Sequence, residues 1–235
     1  MSLRNWDNKT WLSSKRYIRS FNNFLLKQVK LKRNSKILDI GCGRGKILGS
    51  LSSRLKLKNK PIGIDIERHR DRDRRIHFKK VNAIDFIKRN KKKFDLIMIK
   101  QTIHLLKYKE IKKLIYACKM QLNQNGKILI LSLETSNNEI PTFLLMKKKL
   151  KKSLDRDNKI IRYISKLYPK NRNTRFSFKV KISRDKYIEM IKNRYISTLL
   201  GFSLHDIFKG INQINLKYKK ILSFNDKLIC LILDK

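Results

Sequence analysis

The sequence predicts an α/β fold: a doubly wound, mostly parallel sheet with an antiparallel last strand and a largely helical lid insertion before the final hairpin. Three observations predict it. A short apolar run, residues 36–40, passes through glycines at 41, 43 and 45 into a helical pattern carried by Ile47, Leu48, Leu51 and Leu55. Strand-like and helix-like segments then alternate up to residue 133. Near the end, residues 218–224 and 228–233 read as two apolar strands joined at Asn225-Asp226.

Taken in order, residues 14–30 form an amphipathic helix, with Tyr17, Ile18, Phe21, Phe24, Leu25, Leu26 and Val29 on one broad face. Trp6 and Trp11 precede it. The first strand, Ile37 to Ile40, is apolar enough to be buried on both faces. The second runs from Pro61 to Ile66 and places Asp65 at its carboxyl end; Glu67 is the neighbouring acid. Ile76 to Val81 is the third, with Asn82-Ala83-Ile84-Asp85-Phe86 after it. Phe94 to Ile99 is the fourth and leads into Lys100-Gln101-Thr102-Ile103-His104. A helix over about 108–123, a turn at residues 123–126 and a fifth strand at 127–133 follow. The next stretch breaks the alternation. It reads as helices at 143–154 and near 158–167, a strand at 176–182, and helices at 186–200 and 203–214 separated by Gly201.

The glycine spacing selects the ligand class. A dinucleotide fold wants G-x-G-x-x-G, with a pyrophosphate on the helix N-terminus. Here the spacing is G-x-G-x-G, and Asp39 stands two residues before the first glycine. An acid there suits a ligand bearing an ammonium and a sulfonium and opposes a pyrophosphate. Asp39-Ile40-Gly41-Cys42-Gly43-Arg44-Gly45 resembles the first motif of the class I S-adenosylmethionine (SAM) dependent methyltransferases. The segment at residues 94–106 resembles that family's fourth motif.

The resemblance implies SAM as cofactor and a Rossmann-like methyltransferase fold. It implies that Asp39, Gly41, Cys42, Gly43 and Gly45 surround the cofactor, with Asp65 and Ile66 at its ribose and Asn82 and Ala83 at its adenine. The family usually has Asp where Asn82 stands, so Asn82 and Asp85 are alternatives for the adenine contact. Backbone carbonyls at Lys100 and Gln101 would accept from the ammonium. The helix before the first strand would lie across the cofactor mouth, bringing Trp11 and Tyr17 to the substrate side; the alternative is a covering helix that buries aromatics for stability alone. The stretch Met190 to Ser197 is loosely similar to the lid helix of ubiquinone-type and aconitate-type methyltransferases. Within it Arg194 and Tyr195 offer a forked donor and a hydroxyl to an anionic substrate, or else a surface charge and a core aromatic. His104, beyond the fourth strand, is the candidate general base; the alternative is a polar residue at a helix entrance. The segment after the fourth strand lacks both the Asn/Asp-Pro-Pro-Tyr/Phe box of amino-group nucleic-acid enzymes and the Pro-Cys pair of cytosine-C5 enzymes.

A chain of 235 residues suits one domain, divided here into a covering helix (1–30), a cofactor-binding core (31–133), a lid-like insertion (134–217) and final strands (218–235). Its net charge of +41, from 59 basic and 18 acidic residues, suggests weak RNA binding through a basic surface. Lysines fall in nearly every segment, and the Arg-rich run at residues 68–75 is interleaved with Asp71 and Asp73, which predicts a diluted phosphate surface. Cys42, Cys118 and Cys230 have no metal or disulfide spacing. Cys42 is read as a small turn residue before a nucleophile. No membrane span and no apolar leader are visible, so a cytoplasmic protein is expected. The expected activity is methyl transfer to O or N of a small, anionic molecule. An RNA or protein methyltransferase is the alternative, ahead of a non-enzymatic binding module and a nicotinamide oxidoreductase.

Overall fold

A computed structural model describes residues 10–235; Trp6 and the leader reading at residues 1–7 lie outside them. The sheet has seven strands in the order β3-β2-β1-β4-β5-β7-β6. These are β1 Ile37–Ile40, β2 Ile62–Asp65, β3 His77–Lys80, β4 Phe94–Lys100, β5 Leu122–Leu133, β6 Arg172–Ser183 and β7 Ile221–Asp234. Strands β1 to β5 are parallel, and β7 runs antiparallel to both of its neighbours.

Seven α-helices flank the sheet among the described residues: α1 Lys15–Gln28, α2 Lys46–Leu55, α3 Ala83–Arg89, α4 Tyr108–Met120, α5 Leu144–Leu167, α6 Arg184–Lys192 and α7 Leu204–Lys217. Alternate strand residues feed two cores, as the pleat requires. Ile37, Leu96, Met98, Leu129 and Leu131 meet α1, α2, α6 and α7. Leu38, Ile40, Ile97, Ile99 and Ile130 meet α3, α4 and the second half of α5. No helix of the described residues is long and apolar enough to cross a membrane.

The first five strands match the sequence reading, and the second half departs from it. The turn expected at residues 123–126 lies inside β5 as a register shift opposite Phe94 and Leu96. The two helices expected at 143–154 and near 158–167 are one 24-residue helix. The polar run Asp155-Arg156-Asp157-Asn158 continues the helix, with Asp157 buried beside His104. The helix expected at 186–200 ends at Lys192, where Arg194 takes a left-handed φ of 53° and a short 3-10 turn, Ser197–Leu199, follows. The hairpin expected at Asn225-Asp226 does not form. That dipeptide lies within the continuous β7, and the antiparallel arms are β6 and β7, with α6 and α7 in the connection between them. Half of the predicted insertion, α5 and β6, therefore belongs to the sheet and its cover.

Candidate functional site

The site lies at the carboxyl ends of β1, β2 and β4, where a parallel sheet presents its loops. After β1 the chain turns through Gly41, Gly43 and Gly45 with φ of 74°, 54° and 67°, all left-handed. Gly41 is forced by contact as well: a Cβ there would stand 2.1 Å from the Thr102 hydroxyl. A Cβ on Gly43 would meet nothing within 4 Å, so the open side of the turn is at Gly43.

Asp65, at the end of β2, organises this turn. One carboxylate oxygen accepts the Gly43 N–H at 2.8 Å and the other accepts the Glu67 N–H at 2.9 Å. Next to it Ile66 is 59% exposed, an uncovered apolar face beside a carboxylate. Asn82 caps α3: its side-chain oxygen accepts the Ile84 N–H at 2.8 Å, leaving one lone pair and the amide NH2. Ala83 opens that helix, where the first-turn N–H groups have no partner within the helix, and Asp85 is exposed two positions further along.

Asp39 is the most perturbed acid of the site. It is 4% exposed, and one carboxylate oxygen is buried without a hydrogen-bond partner. Burial raises its pKa to about 7; Lys100 opposes the rise and Asp65 adds to it. A cation arriving at that oxygen would relieve the penalty. Burial, with Asp39 and Asp65 nearby, pushes the Cys42 thiol far up, which removes it as a thiolate nucleophile.

The end of β4 is strained. Gln101 has φ of 52°, in the left-handed region that non-glycine residues rarely occupy. The Thr102 hydroxyl donates to the Lys100 carbonyl at 3.0 Å. The Lys100 ammonium donates to the Gln101 side-chain oxygen at 3.1 Å and lies 5.8 Å and 5.6 Å from the ring centroids of Tyr17 and Phe21. It also faces Asp226 of β7, a buried carboxylate that burial raises and Lys100 helps to hold down.

His104 sits in the turn after β4. Its Nδ1 is buried without a hydrogen-bond partner, and burial lowers its pKa while Asp157 on α5 pulls the other way. Asp157 is in turn raised by burial. His104 and Asp157 therefore act on each other electrostatically, each partly withdrawn from water.

The four residues expected to touch substrate are placed inside the molecule. Trp11 is 7% exposed, donates its indole N–H to Asp226 at 3.0 Å and packs edge-on against Tyr195 and Phe224. Tyr17 is fully buried, stacked on Phe21. The Tyr195 hydroxyl is 2.9 Å from that of Tyr187, and Arg194 donates to the Leu199 carbonyl. Their geometry is that of packing and tethering; in this conformation none of the four presents a free surface to a ligand. Sequence reasoning missed two buried carboxylates that lie beside site candidates, Asp226 near Lys100 and Asp157 near His104, and the part played by the Lys100 side chain.

A family model described as a methyltransferase domain matches residues 11–180. The chain belongs to that methyltransferase family. Its enzymes are SAM-dependent, and the class I resemblance drawn from residues 39–45 and 94–106 holds. Among solved structures, a putative methyltransferase from an antibiotic biosynthesis pathway of Anabaena variabilis is 14% identical, with a TM-score of 0.62 over 89% of this chain and 95% of its own. The plantazolicin methyltransferase BpumL, solved with S-adenosylhomocysteine (SAH), is 16% identical, with a TM-score of 0.54 over 98% and 88%. The precorrin-6y C5,15-methyltransferase of Geobacter metallireducens is 12% identical, with a TM-score of 0.53 over 95% and 90%. At these identities the likeness is one of fold. A search of curated proteins found no sequence match.

Proposed function

We propose that the strand-end site binds SAM and that the enzyme methylates an O or N atom of a small, anionic molecule. The observation that carries the cofactor assignment is the buried Asp39 oxygen without a partner, next to the open face of a left-handed glycine turn. That oxygen fits an ammonium. The remaining lone pairs of Asp65 fit two ribose hydroxyls, and the exposed face of Ile66 fits an aromatic base whose edge meets Asn82 and the Ala83 N–H. The Lys100 and Gln101 backbone completes the ammonium pocket. Lys100 itself already supplies a cation between Asp39 and Asp226.

SAM supplies a methyl on a sulfonium, open to direct displacement. The chain's contribution is alignment and exclusion of water, which lowers the barrier by several kcal/mol. His104 takes the acceptor's proton. Burial lowers its pKa from 6.5, so the ring is a free base at neutral pH, and Asp157 stabilises the cation formed. The small-molecule reading is supported by relatives named for plantazolicin and precorrin-6y, and by the helices α6 and α7 inserted before β7. The second reading, an RNA or protein substrate, is favoured by the charge of +41.

Labelled-methyl transfer from SAM into a small-metabolite pool and into total RNA, at about 150 mM salt, tests the two readings. Label in the small-molecule fraction is expected; site-specific label in one RNA overturns it. In the same assay His104→Gln should lower kcat by about 10²–10⁴-fold with the KM for SAM unchanged. The wild-type kcat should fall as pH drops through the depressed histidine pKa, and the variant should lose that limb. A kcat within threefold of wild type would remove His104 from the mechanism.

A further inference from the structure

A cleft of about 920 Å³ opens beside α1, away from the ends of β2 and β4. It runs between α1 and α2 and is closed on one side by the loop before β3. Six cations line it: Lys15 and Arg19 from α1, Arg44 and Lys46 where α2 begins, Arg54 at its far end, and Arg75. No carboxylate and no aromatic ring line it among the described residues; the rest are Ser and Asn side chains and Ile18.

The arrangement is built. Lys15 and Arg19 are four residues apart on one helix face, and Lys46 and Arg54 are eight apart on the other. The latter spacing spans about 12 Å at 1.5 Å per residue. The aspartates of the Arg-rich run pair with two of the six cations, as the sequence reading expected, and leave four. Asp71 accepts from Arg44 at 2.6 Å. Asp73 is 7% exposed and accepts three bonds from Arg75, two from its guanidinium at 2.8 and 2.6 Å and one from its backbone N–H at 3.0 Å, while Arg75 also donates to Ser53 at 3.0 Å. Asp73 seats directly on Gly49 of α2, where a Cβ would come within 2.3 Å of its carboxyl carbon. Each acid thus orients and neutralises one arginine, and Lys15, Arg19, Lys46 and Arg54 carry the remaining charge of the two walls.

We propose that this cleft docks the phosphodiester backbone of a nucleic-acid strand. Cations on both walls over about 12 Å suit a row of phosphates better than one anion. Without a stacking ring or an acceptor-rich wall it reads phosphates and not bases, so docking is blind to sequence. The cleft opens on the opposite side of α1 from Lys100 and adjoins the strand-end site only at the glycine turn, through Arg44. Tyr17 and Phe21 of α1 face Lys100 while Lys15, Arg19 and Asn22 face the cleft, so the helix stands between the two. A strand docked there need not be the methyl acceptor, and the inference does not depend on the acceptor's identity.

The test is fluorescence anisotropy with a labelled single-stranded RNA of about 12 nucleotides and mixed sequence, at about 150 mM salt. Arg19→Glu/Arg54→Glu should weaken binding at least tenfold and flatten the salt dependence. Lys147→Glu/Lys148→Glu on α5 makes the same change in net charge and should cost less than threefold. The milder Arg19→Gln/Arg54→Gln pair should show the same ranking if the reversal perturbs folding, and SAM binding should be unchanged in it. Equal losses in the cleft and control variants, or no binding by the wild type at this salt, would overturn the proposal.

Discussion

Gly43→Val is expected to lower SAM affinity at least about 100-fold, or 2.7 kcal/mol, while a cooperative thermal transition is kept. Gly43 holds φ at 54° and donates its N–H to Asp65. A β-branched side chain in that region costs on the order of 1–3 kcal/mol, and relief by turning the peptide breaks the Asp65 bond. Packing is not the obstacle, since a Cβ meets nothing within 4 Å. The protein therefore folds, and the new side chain occupies the space assigned to the ligand. Calorimetric titration with SAM beside a melting curve separates the two effects. Normal affinity in a folded variant would show that the turn does not approach the ligand.

The largest effect on stability is expected from Trp11→Ala. Its ring is 7% exposed between Tyr195 and Phe224, and its N–H is the donor to buried Asp226. Truncation leaves a cavity and a buried carboxylate that has lost a donor, for a loss of about 3–5 kcal/mol. That is a large part of the 5–15 kcal/mol typical of a whole domain. Urea unfolding measures it. A loss under about 1 kcal/mol would mean that the aromatic cluster does not clamp the start of α1 onto β7, as a substrate-facing tryptophan would also imply.

The cofactor half of the chain was legible because its signals are local. A four-residue apolar strand, three glycines and an acid at the end of the next strand are fixed by backbone sterics and by burial on both sheet faces. The second half is decided by contacts distant in sequence. Asn225-Asp226 has turn chemistry, but pairing with Phe178 and Lys179 of β6 holds it extended, and Trp11, more than 200 residues away, supplies a donor. Asp155 to Asn158 have linker chemistry, but helix propagation and the burial of Asp157 beside His104 carry α5 through. For the same reason aromatic and basic residues assigned to substrate from their type, Trp11, Tyr17, Arg194 and Tyr195, are in the interior: type alone does not separate a buried tether from an exposed contact.

We assign the SAM site to the ends of β1, β2 and β4, with Asp65 organising it. Calorimetric titration of SAH into the wild type and into Asp65→Ala tests it most directly. The wild type should bind saturably at one site, and the variant should bind at least about tenfold more weakly, or 1.4 kcal/mol, with the melting transition retained. Equal affinity in the two proteins, or no binding of SAH by the wild type, would contradict it.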